Sequence, residues 1–178
     1  MFRPKKSRSR GFTLVEILCV VVILGIASAI IIPQLGSRDD LVVSSAARVV
    51  MADLIYAQNR AISTQRRQYV DFESQTYTLK SRELDSDPLV AITHPVTKGT
   101  YSITLNSTAA GMANVTVTSA AFGGFPVLGF DELGSPFSYD SSTNTSTPLV
   151  ASGTVVLTVG AASLTISVEP YTGEITVQ

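Results

Sequence analysis

Three hydropathy patterns follow one another along the chain. From Ile17 to Ser37 no residue is charged, and Ile17–Ile32 (ILCVVVILGIASAIII) is almost wholly aliphatic. A bilayer core about 30 Å thick needs roughly 20 such residues in a helix, so this stretch is long enough to span. Next, Val43, Ala47, Val50, Leu54, Ala57 and Ala61 recur at steps of four and three, which makes one helical stripe. Asp39 and Asp40 suit its N-terminal end, and Arg66 and Arg67 put basic charge where it is predicted to stop. Between the two patterns Pro33 and Gly36 interrupt the helix and bend or loosen it. A helix over residues 14–66 would run about 80 Å at 1.5 Å per residue. Its first half needs an apolar medium such as lipid all round it; its second half has one stripe to cover.

From Gln68 onward the period changes to two, and 31 of 111 residues are Ser or Thr. Tyr69–Glu73, the link Ser74-Gln75 and Thr76–Lys80 read as a hairpin. Further strands are predicted at Leu89–Thr93, Thr100–Leu105, Asn114–Ser119, Val127–Phe130, Gly153–Val159, Ser163–Val168 and Glu174–Gln178. Gly160-Ala161-Ala162 and Pro170-Tyr171-Thr172-Gly173 supply tight turns, while Asn106–Ala113 and Ser138–Ser152 read as loops by composition. The expected fold is α+β: a long N-terminal helix with an antiparallel sheet, or two, wrapped on its outer half.

Charge separates the ends. Residues 1–10 (MFRPKKSRSR) hold five bases and no acid, leaving 8 bases and 14 acids in the other 168 residues. With five bases before the apolar run and a net −1 over Arg38, Asp39 and Asp40 after it, the N-terminus belongs in the cytoplasm and the rest on the far side. One Cys excludes an internal disulfide and a Cys-cluster zinc site, and one His makes two-His chemistry unavailable. An ordinary secretory signal fits poorly, because the small-x-small site Ala27-Ser28-Ala29 lies mid-run. Cys19 follows Leu18 rather than a small residue, so a lipoprotein signal fits no better.

The boundary between bases and apolar run carries more. It reads Gly11-Phe12-Thr13-Leu14-Val15-Glu16, with a carboxylate at the mouth of a membrane helix, where charge is costly. The segment GFTLVEILCVVVILGIASAIIIP resembles the class III signal of type IV pilins and type II secretion pseudopilins. That resemblance implies cleavage between Gly11 and Phe12 by a membrane prepilin peptidase, which also methylates the new amine of Phe12. It implies that the apolar stretch is kept, anchoring the subunit and then packing in a filament core. It further implies that Glu16 pairs with the Phe12 amine of its own or a neighbouring subunit and so sets axial register; pairing offsets the desolvation of both charges.

Three further segments are similar to the GspH/FimT-type branch, the minor pseudopilins and minor pilins. They are Leu54–Ile62 running into Val70-Asp71-Phe72, then Gly129–Gly134, then Val168–Ile175, with Gly134 and Gly173 supplying positive φ. The implied organisation is a leader over 1–11, a membrane and assembly helix over 12–37, an amphipathic helix half over 38–67 and a periplasmic β domain over 68–178. The implied partners are the peptidase and methylase, other pilin or pseudopilin subunits, an inner-membrane assembly platform and secreted cargo.

Other chemistry is thin. His94 precedes Pro95 in a turn and is read as a solvated loop residue. Asp85-Ser86-Asp87 offers two carboxylates to Ca²⁺ but no third ligand. Arg60, Arg66 and Arg67 form a possible anion patch, yet residues 68–178 hold three bases against ten acids, which speaks against nucleic acid. The sequons at Asn106, Asn114 and Asn144 mark exposed loops. No nucleophile constellation, phosphate loop or cofactor motif is present, so no enzyme is expected. A secretion pseudopilin, a minor type IV pilin and a stand-alone anchored binding module remain open, and the acidic head favours the first.

Overall fold

The computed structural model describes residues 12–31 and 38–178, in two compact units that divide after Ser37. In the first unit, helix α1 covers Leu14–Ile31. Its side chains have no apolar stripe because nearly every position is aliphatic, and every residue from Phe12 to Ile26 stands exposed. The Ser28 hydroxyl donates back to the Leu24 carbonyl at 2.7 Å, so that polar group is satisfied within the helix. Among the described residues no helix is long and apolar enough to cross a membrane. The span expected over Ile17–Ser37 runs on into 32–37, and Pro33 and Gly36 with it, outside the described residues.

In the second unit α2 covers Arg38–Thr64, and all six stripe residues are buried, with Ala46 beside them. The three alanines of that stripe, with Ala46, let strands approach the helix axis closely. The helix stops two residues before the expected Arg66–Arg67. Gln65 adopts a left-handed φ of 51°, and the Arg66 amide donates to the Ala61 carbonyl at 3.2 Å. That is a Schellman close, built here on a residue with a Cβ rather than on glycine. The Gln65 amide group donates to the Ile62 and Glu132 carbonyls at 2.8 and 3.2 Å and so holds the unfavourable backbone in place.

Eleven strands follow: β1 Gln68–Phe72, β2 Thr76–Ser81, β3 Val90–Ala91, β4 Ser102–Thr104, β5 Thr116–Ala121, β6 Val127–Phe130, β7 Pro136–Asp140, β8 Thr145–Pro148, β9 Gly153–Val159, β10 Ala162–Val168 and β11 Ile175–Val177. They form a seven-stranded sheet in the order β3-β2-β1-β6-β7-β8, with β4 also on β2, and a four-stranded sheet in the order β11-β10-β9-β5. All strand pairs are antiparallel. The fold is the expected α+β pilin-like arrangement, with both sheets packed on α2. The segment read as a loop, Ser138–Ser152, instead holds most of β7 and all of β8. β7 is buried on both faces, so it lacks the alternation that marks a strand, and β8 is an edge strand without an aliphatic residue.

Val70, Phe72, Tyr77 and Leu79 face α2 in the main core. The opposite face of the same sheet holds a smaller cluster of Tyr69, Val127, Phe137 and Tyr139, under Leu89. Arg82, read from the sequence as one of the few head bases, is buried beside it. Its guanidinium lies 5.3 and 5.4 Å from the Tyr69 and Tyr139 ring centroids and bonds Asn144 Oδ1 at 2.6 Å and Asp85 Oδ1 at 3.1 Å.

Candidate functional site

The first candidate is the start of α1. Thr13 precedes the helix, and its hydroxyl accepts the Glu16 amide at 3.3 Å while its carbonyl accepts the Ile17 amide at 3.2 Å. Thr13 is therefore the N-cap, and Thr13-Leu14-Val15-Glu16 has the spacing of a capping box. Glu16 sits in the first turn, where a carboxylate complements the helix dipole, and is exposed. Phe12 is 78% exposed ahead of the cap. Gly11 lies outside the described residues. What the site presents is an apolar rod with one carboxylate at its mouth, which has no partner among the described residues of its own unit.

The second candidate gathers the three head segments singled out in the sequence. The Gln58 side-chain amide, on α2, donates to the Gly134 carbonyl at 3.0 Å and to the Gly173 carbonyl at 3.2 Å. Both glycines have left-handed backbones, φ 84° and 67°. A Cβ on Gly173 would stand 2.4 Å from Gln58 Nε2, and one on Gly134 would stand 2.8 Å from Ile62 Cδ1. The turns after β6 and β10 are thus pinned to one helical residue. Spacing revealed the glycines; it gave no sign of Gln58.

A third cluster surrounds Asp53, half-buried on α2. Tyr77 donates to one of its carboxylate oxygens and Tyr101 to the other, at 2.9 Å for Tyr101. Burial, with the adjacent carboxylate second, pushes the Tyr77 phenol far above the ordinary tyrosine value. Burial and the hydrogen bond to Asp53 do the same for Tyr101. His94 is the expected loop residue before a turn, but it is half-buried rather than fully solvated. Its ring packs 4.4 Å from that of Tyr101, and Nδ1 accepts the Val96 and Thr97 amides at 3.1 and 3.2 Å, which uses it as a turn residue.

The remaining sequence candidates are dispersed. Asp85 faces Arg67 and Arg82, whereas Asp87 Oδ2 accepts the Leu84 amide at 3.1 Å, so the two carboxylates do not converge on a cation. Among the described residues no group of three or more His, Cys, Asp or Glu could hold a metal. Arg66 pairs with Glu83 at 3.3 Å and Arg67 with Asp85 and Glu132 at 3.5 and 3.7 Å, so acids answer two of the three arginines of the supposed anion patch.

The family model for the prokaryotic N-terminal methylation motif matches residues 6–32, the stretch holding Gly11, the Thr13 cap, Glu16 and the whole of α1. This is a pilin-like chain. The type II secretion system core protein G of Pseudomonas aeruginosa is 53% identical over 36 residues, 20% of this chain and 25% of that protein. The pilin-like chain thus spans about a quarter of the curated relative it matches. Among solved structures, the minor pseudopilin EpsH from the type 2 secretion system of Vibrio cholerae aligns with a TM-score of 0.54 at 12% identity, over 76% of this chain and 95% of that one. The type IV minor pilin FimU of Pseudomonas aeruginosa aligns with a TM-score of 0.47 at 15% identity, over 76% and 91%. The motif is that of N-terminal methylation, and the fold is shared with the EpsH structure. The motif implies a precursor anchored in the inner membrane and processed by a prepilin peptidase.

Proposed function

We propose that this chain is a minor pseudopilin of a type II secretion system. The peptidase cuts after Gly11 and the amine of Phe12 is methylated, with the leader in the cytoplasm and residues 38–178 in the periplasm. The assembly platform then draws α1 out of the bilayer into a short filament that helps move folded cargo outward. The observation that carries this reading is a helix, almost wholly aliphatic and exposed from Phe12 to Ile26, within a methylation motif. Lipid before assembly and sister helices after it would cover that surface in turn. Glu16 is the register residue: it pairs with a methylated Phe12 amine in the filament core.

The acidity of the head supports secretion over DNA uptake. Of its three bases, Lys80 is paired with Asp71 at 2.6 Å and Arg82, buried, with Asp85 at 3.1 Å, which leaves Lys98 against the eight other acids. The deciding measurement compares the culture-medium proteome of a deletion strain with that of its complement. Specific proteins retained by the deletion and released again on complementation are expected. An unchanged medium together with lost piliation would make the chain a minor type IV pilin instead. For the register role, Glu16→Ala should be processed normally yet fail to enter filaments; normal incorporation would remove Glu16 from that role.

A further inference from the structure

The sheet face turned away from α2 carries an open groove of about 500 Å³, lined by Asp71, Lys80, Asp87, Leu89, Tyr139 and Ser141 among others. That volume lies within the range of small-molecule sites, roughly 300–1,000 Å³. The floor is the ion pair of Lys80 Nζ with Asp71 Oδ2 at 2.6 Å, whose side chains are only 27% and 23% exposed. One wall is the segment 86–89 before β3 and the other is the β7–β8 turn. That turn is held firmly, because the Asp140 carboxylate accepts the Ser142 amide and the Ser142 and Thr143 hydroxyls at 2.8, 2.6 and 2.7 Å. The pair is a diagonal cross-strand contact between β1 and β2, half-buried at the bottom of the groove.

We propose that this groove binds a neutral oligosaccharide. The charges of the floor cancel each other, and Asp87 adds a further carboxylate to the lining, which disfavours a phosphate or an acidic ligand. A divalent cation lacks its ligand set among the described residues. A peptide cannot add here as a strand, because β1 lies between β2 and β6 and β2 between β1 and β3, so neither floor strand offers a free edge. What remains is recognition by side chains. The ammonium group has donors beyond the one given to Asp71, Asp71 has a second oxygen, and Ser86 and Ser141 can donate or accept. Sugar hydroxyls, each both donor and acceptor, match that mixture, and Pro88 and Leu89 offer an apolar strip to the C–H face of a ring. The site is separate from α1 and does not rest on the secretion reading.

Saturation-transfer NMR on the full chain in a sugar-free detergent tests it, with chitotriose, maltotriose and cellotriose as probes and trialanine and inorganic phosphate as controls. At least one trisaccharide should bind, and Ser141→Trp, which places an indole on the groove wall, should weaken it by about tenfold or more. Ser86→Trp on the opposite wall should do the same, which keeps the test open if the first variant fails to fold by circular dichroism. Asp71→Asn with Lys80→Gln should weaken binding while leaving the unfolding transition in place. No signal from any trisaccharide, binding indifferent to both tryptophans, or saturation of trialanine or phosphate alone would overturn the proposal.

Discussion

α1 and α2 are built by the same backbone rules and differ in what covers them. In α1 the aliphatic residues go all the way round, and Leu14, Val21 and Ile23 remain 80%, 62% and 65% exposed. In α2 they form one stripe, and Val50, Leu54, Ala57 and Ala61 are fully buried under two sheets. Hydrophobicity alone would make α1 the better core helix. The pattern shows otherwise: a stripe fits a partner on one side, which the same chain supplies to α2, whereas an all-round apolar surface calls for a surrounding medium. α2 therefore serves stability, and the surface of α1 is left to the membrane and assembly roles proposed for it.

The largest test of that division pairs two leucines. Leu54→Ala removes a fully buried side chain from the α2 stripe and should cost about 2–5 kcal/mol, read as a lower transition in calorimetry of the full chain in micelles. Leu18→Ala, at a position 58% exposed, should leave the unfolding of Arg38–Gln178 where it was. Equal losses would mean that the two helices share one core.

Next comes the Gln58 pin, where the second unit fixes its turns rather than its apolar surface. Gln58→Leu removes the donor from two carbonyls and should cost about 1–3 kcal/mol. Gly173→Ala should fall in the same range, since its Cβ meets the Gln58 amide and its backbone is left-handed. Because both changes act on one contact, the double variant should lose less than the sum. Additive losses in urea unfolding would show two independent sites.

Sequence made some of this legible and hid the rest for physical reasons. All six stripe residues are buried, and the first hairpin lies within a residue of its prediction at either end. Those features repeat with a period, and a period is visible locally. Gly134 and Gly173 were readable as turn residues because positive φ is a local demand. Gln58 was not, since the carbonyls that give it a role lie 76 and 115 residues away. Nor was β7, whose Pro136, Phe137, Ser138 and Tyr139 are all buried and so break the alternation. Arg82 counted as a surface base until two tyrosine rings and Asn144 enclosed it.

pH separates the two regions again, because the phenols with raised pKa belong to the second. Tyr77 and Tyr101 stay protonated in the fold well beyond the ordinary value near 10. Their contribution is fully present below that value, where neither state ionises. Above it the unfolded chain loses those protons while the folded one keeps them, so stability falls by about 1.4 kcal/mol per pH unit for each such tyrosine. Tyr77→Phe should flatten this alkaline slope between about pH 10 and 11 by one tyrosine's share. Stability curves of wild type and variant with identical slopes would show that Tyr77 ionises freely in the fold.

The smallest effect belongs at the end of α2, where its burial gives way to solvent. Arg66 lies beyond the last helical turn, and the pair it makes with Glu83 has side chains 55% and 72% exposed. Water screens both charges, and holding two long side chains together costs rotamer entropy. The coupling from a cycle of Arg66→Ala, Glu83→Ala and the double variant should therefore stay below about 1 kcal/mol. At about 1 M salt, where the Debye length is near 3 Å, it should fall towards zero. Arg66→Ala by itself should hardly move the transition, because the helix is closed by the Arg66 backbone amide and the Gln65 side chain, which the substitution leaves intact. A larger, salt-insensitive coupling would place Arg66 in the folded network with Arg82 rather than at the surface, and would move the limit of the covered region past Thr64.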